Sequence, residues 1–411
     1  MLLYFKTENF RSFEQEIEFS MIAADYGEKL LENTVPLPQY GVSVLKSSVI
    51  YGANASGKSN LLKAMIEGRE IIVKSPSKVL DDKLPHYYNK NGDKNRQQPT
   101  LYVFGILIDD IHYEYLFSND SEKIIEEVLI ESQNGVPKVY FYRKYNVDSD
   151  RYVYQCSPEF DTDAFKIVRN FVKKNNLFLS IAANMAEAFD SDAIGIAVRI
   201  YRWFKEKLRF SFNLLHPGTI DFKKSLKLMY QDADMKKLFL EYLGKADFLI
   251  KEIEIEKIQG RLPHFLAYTY HEGTNMNGQS ELIQYDFLKE ESSGTQQFVG
   301  WLAYYFLALS KGQTLLFDEF GNNMHPLLTI YLLESFHKSS QQAQLIFNTH
   351  DVKLIASEKM RDDQIWIIER DNHGNSTIEP LSNYDIADDK LRDNIYLYGS
   401  LRGIPRIKTE A

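Results

Sequence analysis

Cysteine is almost missing from this chain of 411 residues: Cys156 stands alone. An internal disulfide and a multi-cysteine zinc site are therefore excluded, and the count suits a reducing compartment. No apolar run is long enough for a bilayer. The longest, residues 298–309, falls short of the roughly 18 to 20 residues a span requires and reads as a buried helix. Positive charge is in the minority, 48 Lys and Arg against 57 Asp and Glu, for a formal net charge of −9. That excludes a globally basic nucleic-acid coat but not a local basic patch. No sustained heptads, internal repeats or low-complexity tracts occur, so a long coiled-coil arm is not expected. Charge arrives at Lys6, too early for the apolar core of a secretory signal. These absences predict a cytoplasmic protein with no membrane partner.

What is present is a globular composition, 44% hydrophobic and 26% charged, able to bury cores, in a chain too long for one ordinary domain. Residues 2–5 and 17–21 read as strands around the turn Asn9-Phe10-Arg11-Ser12-Phe13. Residues 48–51 form a short buried strand, followed by a glycine-containing loop and a helix with Leu61, Leu62, Met65 and Ile66 at one-turn spacing. Residues 101–108 and 111–117 flank Asp109-Asp110 as an antiparallel hairpin, extended into a β layer by residues 123–131 and 139–143. The proline-free stretch 161–208 carries Phe165, Val168, Phe171 and Val172 at helical spacing, and a further helix is expected over 222–243. Strands return at 252–258, 264–270 and 282–288, before the apolar helix from Gln296. The last third alternates strand 314–317, helix 327–336 opened by Pro326, and strands 345–347 and 365–368, a parallel α/β order. The expected division is residues 1–150 with the glycine loop and β layer, 151–250 as an inserted helical lobe, and 251–411 as the closing lobe.

Gly52-Ala53-Asn54-Ala55-Ser56-Gly57-Lys58-Ser59 is a complete G-x-x-x-x-G-K-[ST] string between a strand and a helix. Its glycines let backbone N–H groups wrap a polyphosphate at a helix N-terminus, Lys58 reaches the β- and γ-phosphates, and Ser59 can ligate magnesium. Gly52, Asn54, Ser56, Gly57, Lys58, Ser59 and Asn60 are the candidate nucleotide contacts. Asp318 and Glu319 end the apolar strand that starts at Thr314. Two acids at a strand exit are commonly a solvated end, but behind a phosphate loop they predict Asp318 on magnesium, with Ser59, and Glu319 on the attacking water. The pairs Asp161/Asp163, Asp190/Asp192 and Asp232/Asp234 read instead as caps and solvated faces.

With Glu291-Ser292-Ser293-Gly294-Thr295-Gln296 before the long helix, and Asn348-Thr349-His350-Asp351 after a buried strand, the chain resembles ABC-type ATPases of the SMC, RecF and OLD-like branch. Ser293, Gly294 and Gln296 match the signature core that approaches the γ-phosphate held by a second copy; Thr295 stands where a second glycine is commoner. His350 matches the switch histidine. Met324-His325-Pro326 fits the loop after the acids, with Gly321 where an aspartate is common. Asn9 and Arg11 match an early turn near the nucleotide. Tyr398-Gly399-Ser400-Leu401-Arg402-Gly403-Ile404-Pro405 resembles the tail of ATPases from bacterial abortive-infection and phage-defence operons, of AbiL, RloA, Septu and PARIS type.

The resemblance implies an α/β fold, a P-loop NTPase of ABC-ATPase head type with a flanking antiparallel β layer and an inserted helical lobe. It implies ATP and Mg2+ as ligands, Lys58, Glu319 and His350 as catalytic groups, a homodimer or higher homo-oligomer closed by ATP, and a separate effector, a nuclease toxin, under its control. The alternative is a RecF-like clamp on duplex DNA. That would need a basic surface such as Lys173-Lys174, Arg199, Arg202, Lys205, Lys207, Arg209 and Lys223-Lys224 could supply. A transporter ATPase fits poorly, because a long insertion separates the phosphate loop from the signature.

Overall fold

Strands with unbroken apolar sequence need cover on both faces, and in the computed structural model the short strands of this chain receive it. The structure describes residues 1–25, 30–133, 136–186, 192–211, 222–246, 248–259, 264–322, 324–339 and 341–384. The tail motif 398–405 and Asp190 lie outside the described residues. The central sheet runs in the order Leu208–Phe210, Thr314–Phe317, Gln344–Asn348, Ser47–Gly52, Ile365–Arg370 and Ser376–Pro380. Its first five strands are parallel and the last pairs antiparallel. Alternation sends Ile50, Leu316, Ile346 and Ile368 into one core and Val49, Leu315, Phe317, Leu345, Phe347 and Ile367 into the other.

The first core lies against a seven-stranded antiparallel sheet. Its order is Arg151–Cys156, Val136–Asn146, Ile124–Gln133, Ile111–Asn119, Thr100–Ile108, Leu2–Glu8 and Ile17–Ser20. Asp109 (φ 50°) and Asp110 (φ 62°) are both left-handed, which is what a two-residue hairpin turn demands. The helix Lys58–Lys74 packs into this core with Leu61, Leu62, Met65 and Ile66 buried. Helices Asp163–Arg169, Phe178–Asn184 and Asp192–Arg202 join the same core through Phe165, Val168, Phe178 and Ile200.

The single helix expected over 222–243 is two, Lys223–Gln231 and Ala233–Lys245. Asp232 leaves the helical region, and its carboxylate accepts the Asp234 and Met235 N–H groups at 3.0 Å each. A local cap here outcompetes continuation of the helix. These helices pack on Ser293–Lys311 in the second core, so the middle of the chain feeds both cores. Leu208–Phe210 becomes an edge strand instead of a helix end, and Ser376–Pro380 adds a hairpin that sequence periodicity did not reveal. A separate three-stranded antiparallel sheet, Ile250–Ile258, His264–Thr274 and Ser280–Asp286, leads into the Ser293 turn. Among the described residues no helix is long and apolar enough to cross a membrane.

One buried ion pair ties the helices to the antiparallel layer. Arg143 and Glu127 are both fully buried, with Arg143 Nη1 3.3 Å from Glu127 Oε2. The carboxylate also accepts Tyr115 OH at 2.8 Å and the N–H groups of Phe178 and Leu179 at 2.7 and 2.9 Å. Arg143 donates to the Asn176 and Lys173 carbonyls and lies 3.8 Å over the Tyr152 ring. Removing one partner strands a buried charge, so Glu127→Ala is expected to lower stability by about 3–5 kcal/mol in chemical denaturation. A loss under about 1 kcal/mol would show that the pair does not anchor the helices.

Candidate functional site

Parallel strands end at a common edge, and the loops after Gly52, Phe317 and Asn348 meet there. The loop after Gly52 needs its glycines. Gly52 has φ 154° and Gly57 φ 119°. A Cβ on Gly52 would stand 2.4 Å from the Ile368 carbonyl oxygen, and one on Gly57 2.8 Å from the Ser12 and Ser376 hydroxyls. The backbone thus curls tightly enough to aim N–H groups inward. Lys58 opens the helix and folds over the loop, its ammonium donating to the Gly52 and Ala53 carbonyls at 2.8 and 2.9 Å. Burial lowers its pKa, against the raising influence of Asp318 and Glu319. Asn60 donates to Ser12 at 2.9 Å, tying the helix start to the N-terminal turn. The Ser56 hydroxyl is buried without a hydrogen-bond partner among the described residues.

Across from the loop, the Ser59 hydroxyl donates to Asp318 Oδ1 at 2.9 Å. Asn348 completes the arrangement. Its amide nitrogen donates to Asp318, its carbonyl oxygen accepts the Glu319 N–H at 2.6 Å, and its backbone oxygen accepts the Phe320 N–H at 3.0 Å. Glu319 is held in the left-handed region at φ 56°, unusual for a residue with a Cβ, and its exposed carboxylate accepts from Asn322 at 2.9 Å. The tight turn thereby presents both acids to the same edge. At Gly321 (φ 85°) a Cβ would stand 2.6 Å from Thr329 Oγ1, so this backbone accommodates glycine and would resist the aspartate common in the resembling proteins.

His350 lines the same cavity as Lys58 and Glu319. Burial, then Lys58, hold its pKa below the usual value, with Glu319 and Asp318 opposing; the imidazole is neutral near pH 7. Among the described residues no group of three or more His, Cys, Asp or Glu side chains forms a closed metal site. Ser59 and Asp318 do converge two hard oxygens, which fits magnesium, an ion that fills its remaining positions with phosphate and water.

The cavity measures about 800 Å3 and is lined by Asn54 to Asn60, Arg11, Ser12, Glu319, Asn348 and His350, with Tyr87, Tyr88, Lys90 and Arg370 forming another wall. The Arg11 guanidinium lies 4.6 Å over the Tyr87 ring. Asn9 is corrected: it is buried and absent from the lining, and its carboxamide is engaged elsewhere. It donates to the Asn95 and Gln98 carbonyls at 2.8 and 2.9 Å and accepts the Asn89 N–H at 2.9 Å, so it holds the tyrosine-bearing loop.

Ser293, Gly294 and Gln296 also stand outside this cavity. Ser293 is exposed at the start of its helix, and Gly294 lines a different cleft with Met324 and His325. Gln296 donates to the Phe287, Leu288 and Glu291 carbonyls at 3.1 Å each, and Glu291 is itself bound by Thr269 and His271. The Ser293 turn is therefore fixed in shape. Asn348, Tyr87, Tyr88 and Arg370 were not singled out from sequence. Asn348 carried one signal, an amide directly after the apolar run Leu345-Ile346-Phe347; the others carried none.

A glycine loop and an acid-tipped parallel strand on one sheet edge, backed by an antiparallel layer, define a P-loop NTPase fold of ABC-ATPase head type. The chain belongs to the family described as AAA domain, putative AbiEii toxin, Type IV TA system, matched over residues 47–356. It is similar to the SMC head domain from Thermotoga maritima (13% identity, covering 92% of this chain and 98% of that one, TM-score 0.38). It is likewise similar to an Smc head bound to the C-winged helix domain of ScpA (13%, 93% and 99%, TM-score 0.44). A third is the Smc head with an extended coiled coil bound to the C-terminal domain of ScpA, from Pyrococcus furiosus (13%, 93% and 97%, TM-score 0.38). No curated protein matches the chain.

Asn348 is a positioning residue, because it joins Asp318 to the Glu319 turn. Asn348→Leu is expected to weaken magnesium–ATP binding at least about tenfold in calorimetry, through two unpaired polar groups. Unchanged affinity would remove it from that role.

Proposed function

We propose that this chain binds and hydrolyses ATP with magnesium in the cavity at the phosphate loop, and that two copies close around the nucleotide. The reading is carried by one observation. Lys58, Ser59, Asp318, Glu319 and His350 gather around one cavity, while the rigid Ser293 turn is exposed outside it. A site of this kind is incomplete within one copy, and a second copy bringing Ser293 and Gly294 to the γ-phosphate makes ATP the link between them.

The chain's own groups then divide the work. Loop N–H groups and Lys58 hold the phosphates, and Ser59 and Asp318 hold magnesium, which supplies charge to neutralise the transferring phosphoryl group. Glu319, turned outward by its left-handed backbone, takes the proton of the attacking water. His350, neutral near pH 7, is available to donate to a γ-phosphate oxygen and to register its loss. Contacts to ATP made only when closed shift the population toward the closed pair, and hydrolysis releases it.

On this reading residues 1–150 and 251–411 carry the two halves of the ATPase, and 151–250, expected as an inserted lobe, are shared between their cores, with Leu208–Phe210 joining the central sheet. The family's description as an AAA domain and putative AbiEii toxin of a Type IV TA system supports a place in a toxin–antitoxin system, and we assign the chain a cytoplasmic role in phage defence, with the closed pair restraining or releasing a separate effector, a nuclease toxin.

Glu319→Gln is expected to bind ATP, lose turnover by at least about a hundredfold and accumulate as closed pairs in light scattering. Normal turnover would remove Glu319 from the base role. Ser293→Arg, at an exposed position, should stay folded and bind ATP yet not hydrolyse it; wild-type hydrolysis would contradict the shared site.

A further inference from the structure

On the edge of the central sheet opposite the nucleotide cavity lies a second cleft, of about 1310 Å3. Lys207, Gln313 and Gln342 line it, each at or near the residue before a strand begins. The strands Thr314–Phe317 and Gln344–Asn348 run from there toward Asp318 and the phosphate loop. The two cavities are therefore separated by at least the length of a four-residue strand, about 13 Å.

Six cationic side chains line this cleft, Arg69, Lys205, Lys207, Arg209, Lys224 and Lys311, against the carboxylates of Asp109 and Glu206, in a chain whose net charge is −9. Among the described residues no carboxylate pairs with Lys205, Lys207, Arg209 or Lys311, and Glu206 lies toward Arg202 instead. Carbonyls steady two of them without neutralising them: Lys207 donates to the Lys311 oxygen at 2.5 Å and Arg209 to the Lys205 oxygen at 3.2 Å. The cations also press on one another. Arg69 itself is ion-paired with Glu70; burial lowers its pKa most, Glu70 opposes, and Arg209 adds a smaller lowering.

The basic turn is built rather than loose. Residues Trp203–Lys207 form a π-helical turn, pinned from beneath by Arg69, whose Nε donates to the Phe204 and Leu208 carbonyls at 3.0 and 2.9 Å. Uncompensated charge held in place by a buried arginine is a costly arrangement in an acidic protein, and it creates a local field that attracts polyanions. Trp203 and Leu107 are buried, and none of the apolar side chains lining the cleft is exposed. Of its remaining apolar side chains, Val73, Ile108 and Leu307 are half-buried, so no exposed anchor of the kind on which protein interfaces centre stands out. Phosphate contacts need only cations and amides, and Gln341 and Gln342 stand exposed on its rim.

We propose that this cleft binds a nucleic-acid backbone, with Lys205, Lys207, Arg209 and Lys311 on its phosphates. The site does not depend on the ATP-switch reading, because it lies on the other sheet edge and uses none of the nucleotide contacts.

The test is fluorescence anisotropy of the full chain with a labelled 20-base-pair DNA and a labelled 20-nucleotide RNA between about 50 and 200 mM salt. At least one should bind, with affinity falling at least about tenfold over that range. Lys205→Glu combined with Arg209→Glu should weaken binding at least about tenfold and flatten the log–log salt slope by about two. ATP affinity should be unchanged, and Lys251→Glu, on the separate three-stranded sheet, should bind as wild type. Because Arg209 sits in a strand, Lys205→Gln combined with Lys311→Gln gives a milder version, expected to weaken binding about threefold or more. No binding by the wild type, or equal affinity in both double variants, would overturn the proposal. So would displacement of the oligonucleotide by polyglutamate at equal charge concentration, which would assign the cleft to acidic protein.

Discussion

The Asn348 carboxamide is the constraint on which the site depends. It joins two neighbouring parallel strands at their ends, one hand on Asp318 and the other on the Glu319 backbone. With both held, the chain after Phe317 can take a left-handed turn at a residue that would ordinarily avoid one. Asp318 is then directed to Ser59 and Glu319 outward. Strain of this kind persists only where the surroundings over-determine it. Here the surroundings are two strands locked in register and buried on both faces.

The same logic accounts for the remaining geometry. Gly52 and Gly57 permit backbone approaches that any Cβ would block, and the Ser12 and Ser376 hydroxyls close on the loop from two distant parts of the chain. Asn9 holds the loop that carries Tyr87, while Gln296 and Glu291 hold the Ser293 turn. Each functional segment is a loop by sequence but is fastened by a buried amide or carboxylate to a sheet, which is how a mobile-looking stretch becomes a preorganised one.

Much of this was legible in the sequence because the relevant signals are local. The glycine-lysine string, the acid pair after an apolar strand and the histidine after another strand each sit within a few residues, and the parallel order brings them together. The antiparallel layer was readable from alternation and from Asp109-Asp110. What stayed hidden depends on contacts between residues far apart in the chain. Nothing in the run around Tyr87 announces that Asn9 will dock it beside the phosphate loop, and Asn9 itself, read as a nucleotide contact, proves to be a tether. The break at Asp232 was missed because apolar spacing continues across it while a single carboxylate ends one helix and starts the next. Leu208–Phe210 was too short for its period to be seen.

The central claim is that one copy supplies Lys58 and another supplies Ser293 to the same nucleotide. It is tested most directly by mixing two inactive proteins, Lys58→Ala and Ser293→Arg, and measuring phosphate release. A mixed pair has one intact site, formed by the wild-type Lys58 of one copy and the wild-type Ser293 of the other. The account predicts that hydrolysis returns on mixing, toward about a quarter of the wild-type rate at equal amounts, since half of randomly formed pairs carry one of two sites. If neither protein nor any mixture of them hydrolyses ATP while the wild type does, the site is not shared in this way.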